Sequence, residues 1–176
     1  MHENWIDGAD LQRFFYPVVV ERPEQGGLIC TIEPRFADAL FPRSEQIPML
    51  DPSRLQVRPD NVYYRAPSAY RGLRRGAQIF FYVSAPEMAI RGNATLSEFF
   101  VGSPDECFEK YGSKGVLTSA DLDLIGEGSR GQTLALAFDW YREHRQPLSR
   151  VRAVVNGYNP QAARRVKFHQ ARSLSE

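Results

Sequence analysis

The chain has 176 residues, of which 43% are hydrophobic, 12% aromatic and 24% charged, with a formal net charge of +1. That balance excludes wholesale disorder, and the length holds one full core while being short for two. The near-neutral total conceals an asymmetry: residues 1–65 carry −3, residues 66–140 carry −2 and residues 141–176 carry +6.

In chain order, residues 7–16 suggest a short helix that ends before Pro17, and Val18–Val20 reads as β. The stretch 1–15 has no basic leader followed by an apolar run, so it is not a secretion signal, and nowhere does an apolar run reach the roughly 18 residues needed to span a bilayer. A cytoplasmic location without membrane contact is therefore expected, with Cys30 and Cys107 reduced and buried. Leu28–Ile32 reads as a strand after a turn at residues 23–27. Pro34 then sits where a first helical turn tolerates proline, and Phe36/Leu40 and Ala37/Phe41 recur at helical spacing up to Pro42. Residues 42–61, with Pro42, Pro48, Pro52 and Pro59, predict a loop insertion.

Val62–Arg65 predicts another strand, and Ala77–Ser84, almost continuously apolar, predicts a central one. Asn93–Phe100 follows Gly92 as the next strand. Ser103-Pro104-Asp105-Glu106 combines an N-cap serine, a proline at the first helical position and a glutamate three residues on, which predicts a capping box opening a helix to Tyr111. Thr118 or Ser119 opens a further short helix through Ile125. The glycine-rich Gly126–Gly131 predicts a flexible turn whose amides could form an anion nest. Leu134, Leu136, Phe138 and Trp140 then alternate with smaller or polar residues, the period of a half-buried strand over 132–141. A last helix is expected over Pro160–Phe168.

No P-loop, dinucleotide-binding glycine fingerprint, nucleophile elbow or paired-cysteine zinc spacing is present, and neither a metal nor a cofactor is expected. Acid–base catalysis needs a carboxylate held in a pocket, and Glu33 and Glu98 are the weak candidates. Aromatics and arginines are more concentrated. Tyr63, Tyr64, Arg65, Tyr70, Arg71, Arg74 and Arg75 precede the central strand with its Phe80, Phe81 and Tyr82. Bases stack on aromatic faces, and guanidinium groups fork onto phosphates or guanine edges. Alternation sends Phe80 and Tyr82 to one face of that strand and Phe81 to the other, so at least one ring is plain core.

Leu28–Phe41 resembles the opening strand and helix of ASCH-type proteins of the PUA-like superfamily, in which an apolar strand runs into a short x-P-x-F/Y-A-x-x-I/L-F helix. Ile79–Leu96 resembles their central strand pair, where an FY-x-S/T-x-P strand end passes through x-x-I-x-G into the next strand. The similarity covers residues 28–168. It implies an α+β domain: a small mixed β-barrel flanked by short helices, formed by residues 1–176 with residues 1–27 as an N-terminal extension. The cleft of such a barrel holds RNA, modified bases or nucleosides. The G-x-K-x-x-E-x-R motif of the family is degraded here. Its place reads Pro42-Arg43-Ser44-Glu45-Gln46, without the glycine and lysine, and Arg58 or Arg65 is left to supply the arginine.

With that lysine missing, the reading that follows is a non-catalytic module that binds RNA, DNA or a nucleoside-like ligand. Tyr82 and Ser84 would frame its cleft, with Arg58 or Arg65 beside them and Tyr70, Arg71, Arg74 and Arg75 meeting the ligand's rings and phosphates. The alternatives are a small amidohydrolase acting on a modified nucleoside and a regulatory domain with a protein partner on the 42–61 loop.

Overall fold

The computed structural model describes residues 26–41, 60–68, 70–149 and 163–175. The expected segments 7–16 and 18–20 and residues 42–59 of the expected loop lie outside them. In chain order the elements are β1 (Gly27–Ile32), α1 (Pro34–Leu40), β2 (Asp60–Arg65), β3 (Gln78–Val83), β4 (Ala89–Gly102), α2 (Pro104–Tyr111), α3 (Ser119–Glu127), β5 (Thr133–Leu148), β6 (Arg164–Val166) and α4 (Phe168–Ser175). A 3-10 turn, Gly112–Lys114, leads from α2 towards α3.

The strands form one mixed sheet in the order β2-β5-β4-β3-β1-β6. β1 runs parallel to β3, and the remaining pairs are antiparallel. β3 is internal, as its apolar run requires, and five of its six residues are buried. The backbone ladder of the expected barrel stays open, with β2 and β6 at its two ends among the described residues. Side chains bring it round instead: the Tyr63 hydroxyl on β2 donates to the Thr31 carbonyl on β1 at 2.6 Å, although three strands separate β2 from β1 in the sheet. Val62 also bridges Gly115 in parallel, which occupies part of the outer edge of β2.

Curling sorts the side chains by face. Inside lie Leu28, Cys30, Ile32, Ile79, Phe81, Val83, Leu96, Leu134, Leu136 and Phe138, plugged by Leu40 and Phe41 from the α1 end. Phe41 stacks on Tyr141 with ring centroids 3.7 Å apart, and Phe81 packs against Phe138 at 5.1 Å. The opposite face carries two apolar patches. Ile29, Phe80, Tyr82, Ile90 and Val166 are covered by Ala171 and Leu174 of α4. Val62, Tyr64, Ala135 and Ala137 are covered by Cys107 and Tyr111 of α2 and Leu122 of α3. Both cysteines are buried and free.

Both helix-start signals form as the spacing dictates. Ser103 Oγ accepts from the Glu106 amide while the Glu106 carboxylate accepts from the Ser103 amide, and Thr118 and Asp121 repeat the exchange. Other expectations need correcting. Gly92 does not precede a strand but lies inside β4, at a register shift against β5. A Cβ there would fall on the Arg142 carbonyl oxygen, so the glycine permits a close strand approach. β5 continues through Pro147 to Leu148, beyond the expected end near residue 141. Residues 164–166 form a strand rather than a helix, because β1 presents an open edge to which Val166, Arg165 and Arg164 pair; the terminal helix begins only at Phe168. The Gly126–Gly131 turn is no nest. Its amides are spent internally, Ser129 and Gly131 donating to the Gly126 carbonyl and Gly128 to that of Leu124.

A buried ion cluster ties α1 to the β3–β4 hairpin. The Arg91 side chain is 3% exposed and meets Asp38 and Glu87, each at 2.6 Å. Both carboxylates keep the guanidinium firmly charged. A buried arginine satisfied in this way fixes geometry more than it adds stability, but removing it strands its partners. Arg91→Met is therefore expected to lower the unfolding free energy by about 3 kcal/mol in urea titrations; a loss well under 1 kcal/mol would mean that solvent replaces the cluster.

Neighbouring tyrosines on β2 should respond with opposite signs. Tyr63→Phe deletes the hydroxyl that holds the curl and is expected to cost about 1 kcal/mol. The buried Tyr64 hydroxyl meets no hydrogen-bond partner among the described residues, and burial pushes its pKa up to about 12. Tyr64→Phe removes an unsatisfied group and is expected to be neutral or to gain up to about 1 kcal/mol. The same denaturation series reads both, and equal losses at the two positions would contradict this account of the curl.

Candidate nucleic-acid interface

The segment between β2 and β3 holds four of the sequence candidates, Tyr70, Arg71, Arg74 and Arg75, and its local packing decides where they point. Leu73 is buried in the interior core, and Tyr70 packs against that core with its ring 6.3 Å from Phe99. Two turns hold the stretch, Leu73 N–H donating to the Tyr70 carbonyl and Ala77 N–H to that of Arg74. With Leu73 and Tyr70 turned in, Arg71, Arg74 and Arg75 face solvent. Tyr70 is thus partly a core ring.

The basic C-terminal segment comes to the same place. Arg165 Nη1 donates to the Arg71 carbonyl at 2.8 Å, across 94 residues of sequence. Gly72, at φ +77°, leaves room for that guanidinium: a Cβ would sit 2.9 Å from Arg165 Nη1. Arg165 therefore joins the exposed Arg71, Arg74 and Arg75 in one ridge, with the exposed Lys167 two residues further on, whereas Arg164 shares a strand face with the buried Val166. Neither residues 70–77 nor residues 163–167 contain an acidic side chain. The +6 of residues 141–176 has no location in the sequence; the docking of Arg165 onto the 70–75 turn follows from the pairing of β6 with β1.

Arg65 belongs elsewhere. Its Nη2 donates to Ser68 Oγ at 3.1 Å and its Nε to the Ala66 carbonyl at 3.3 Å. It lies beside Cys30 and Tyr63, both pushed up by burial, and its charge offsets part of that rise. Glu33 lies close enough to add its own upward push on Tyr63, but it is ion-paired with Arg35 at 2.9 Å in a largely exposed setting. The Ser84 amide donates to the Ile32 carbonyl, which places Ser84 where β1 and β3 end side by side. Arg58 lies outside the described residues. Tyr82 does not frame an interior cleft: it is 5% exposed under α4 on the opposite face, as alternation with the inward Phe81 dictates.

A pocket of about 420 Å³ opens on the outer face where β2, β4 and β5 meet the end of α2. Arg75 and Glu98 line it, as do Asn61, Ser97, Lys114 and Asp139, which no sequence motif marked. Asp139 is 8% exposed, a charged residue closing the apolar run of β5. Glu98 is ion-paired with Lys110 at 2.5 Å, and that ammonium holds its carboxyl below the usual glutamate range. This is the opposite of the raised pKa that suits a general base at neutral pH. The pair is half exposed and contributes little to stability. Among the described residues, no helix is long and apolar enough to cross a membrane.

No family model and no curated protein matches the chain. Solved structures do. The ASCH protein from Zymomonas mobilis superposes with a TM-score of 0.61 at 17% identity, covering 84% of this chain and 92% of that one. A serine-to-alanine variant of it gives a TM-score of 0.64 at 18% identity, and a tyrosine-to-phenylalanine variant gives 0.61 at 16%. Each variant covers 87% of this chain and 96% of the other. At such low identity the likeness concerns the backbone and not the side chains of any site. From the curled mixed sheet, the short capped helices and this superposition, the chain has the ASCH-type PUA-like fold.

Proposed function

We propose that this chain is a nucleic-acid-binding module that grips the phosphate backbone along the ridge of Arg71, Arg74, Arg75 and Arg165, with Lys167 beside it. The observation that carries the reading is the Arg165–Arg71 contact, which draws two remote basic segments into one surface. Such a ridge gives affinity through counterion release and selects for charge spacing rather than sequence. Arg65, bonded to Ser68 and the Ala66 carbonyl, and Ser84, at the end of β3, are not part of the proposed contact. A hydrolytic reading is disfavoured by Glu98, which is held ionised by Lys110.

The test is fluorescence anisotropy with short single-stranded oligonucleotides over a range of salt. Binding is expected to weaken steeply as salt rises, with a log–log slope of about −0.7 per neutralised phosphate for single strands. The exposed pair Arg74→Ala and Lys167→Ala should each reduce that slope by about 0.7 without altering the fold, as followed by circular dichroism. Undetectable binding at low salt, or variants with wild-type slopes, would overturn the reading.

A further inference from the structure

The ridge ends at Arg75, and Arg75 is also a wall of the outer-face pocket. A strand whose phosphates lie on the ridge thus passes the pocket mouth. The pocket is polarised. Arg75 and Lys114 on its wall are exposed to solvent, whereas Asp139 is 8% exposed, and all three have contacts within the fold. Glu98 is ion-paired with Lys110. Asn61 and Ser97 add an amide and a hydroxyl along the wall. The volume of about 420 Å³ lies within the range of small-molecule sites, roughly 300–1,000 Å³.

A buried carboxylate accepts hydrogen bonds and cannot donate them. Its best planar partner is a pair of adjacent N–H donors. Among the common bases, the guanine edge offers such a pair in its ring N–H and neighbouring amino group, while adenine and cytosine offer a single amino group and uracil a single ring N–H. Asp139 has contacts within the fold, but a carboxylate offers about four acceptor directions and can serve a base as well. Asn61 also has contacts within the fold, and its amide, with two N–H donors, can give one to the guanine carbonyl oxygen. The exposed cations on the wall suit the attached phosphate. We propose that this pocket is a base-reading site that takes one guanine nucleotide from the strand bound on the ridge. The proposal rests on the nucleic-acid reading given above and adds base selectivity to it.

The experiment uses the full chain and four labelled oligonucleotides: a uridine heptamer, and the same heptamer with one central guanosine, adenosine or cytidine. The guanosine oligomer should bind about 10-fold or more tightly than the others, within the range of one bidentate base contact. Asp139→Asn should bring that preference within about twofold of parity and leave the salt slope unchanged, because the ridge is untouched. Asn61→Ala offers the same readout if Asp139→Asn fails to fold. Arg74→Ala should weaken all four oligomers alike and keep the preference. Equal affinity of the wild-type chain for all four would overturn the pocket assignment and leave the ridge standing. If none of the four binds at low salt, the ridge reading fails, and guanosine monophosphate decides the pocket on its own. Amide shifts in a proton–nitrogen spectrum confined to the surroundings of Asn61, Ser97 and Asp139 would support it, and their absence would overturn it.

Discussion

Tyr63 reaches from the first strand of the sheet order to the Thr31 carbonyl on the fifth, across three intervening strands, and it can do so only if the sheet curls back on itself. Strands twist with a fixed hand, so a six-stranded sheet tends to curl, but twist alone does not choose how far. The inward aromatics supply the rest. Phe41, Phe81, Phe138 and Tyr141 fill the space that curling encloses, and Tyr63 meets the edge of Phe81 with ring centroids 6.0 Å apart. The Tyr63 hydroxyl then donates to a carbonyl near the far end of the sheet. Interior packing and closure are thus one constraint seen from two sides.

What the curl leaves outside is as consequential as what it encloses. The outer face is apolar in two patches, each roofed by helices, and between them Gln78, Asn93 and Thr95 join through hydrogen bonds, with His144 at the end of the chain. Burial holds His144 towards its neutral form. The pocket beside Asp139 lies on this same face, next to the patch under α2 and α3. A sheet face that has to alternate between covered apolar and uncovered polar strips provides a shallow polar recess without any loop being dedicated to it. That recess lies on the face opposite the aromatic interior, so its polar lining does not interrupt the core.

Charge follows the same geometry. The net +6 of residues 141–176 is a property of composition, but its effect depends on where the strand Arg164–Val166 docks. Pairing with β1 sets Arg165 over the Arg71 turn and gathers cations that would repel one another in isolation. The donor bond from Arg165 to a backbone carbonyl offsets part of that repulsion. Like charges held together by a fold raise the positive potential of that surface.

The sequence by itself determined the elements whose signals are local. Ser103 and Glu106 specify a helix start through atoms three residues apart, Pro34 opens α1, and the unbroken apolar run of β3 places it inside a sheet. The order of these elements was enough to show the resemblance to ASCH-type domains. Tertiary structure alone decided the rest. Alternation showed that Tyr82 and Phe81 face opposite ways, but only the packing of α4 established that Tyr82 is on the covered outer side. Residues 164–166 have no strand pattern of their own and become β because β1 has an unpaired edge. Asn61, Ser97, Lys114 and Asp139 are far apart in sequence and none stands in a motif, so their pocket exists only through the register of β2, β4 and β5. Local hydrogen bonds are written in neighbouring residues, whereas a site made of edges and registers depends on contacts that short-range patterns cannot encode.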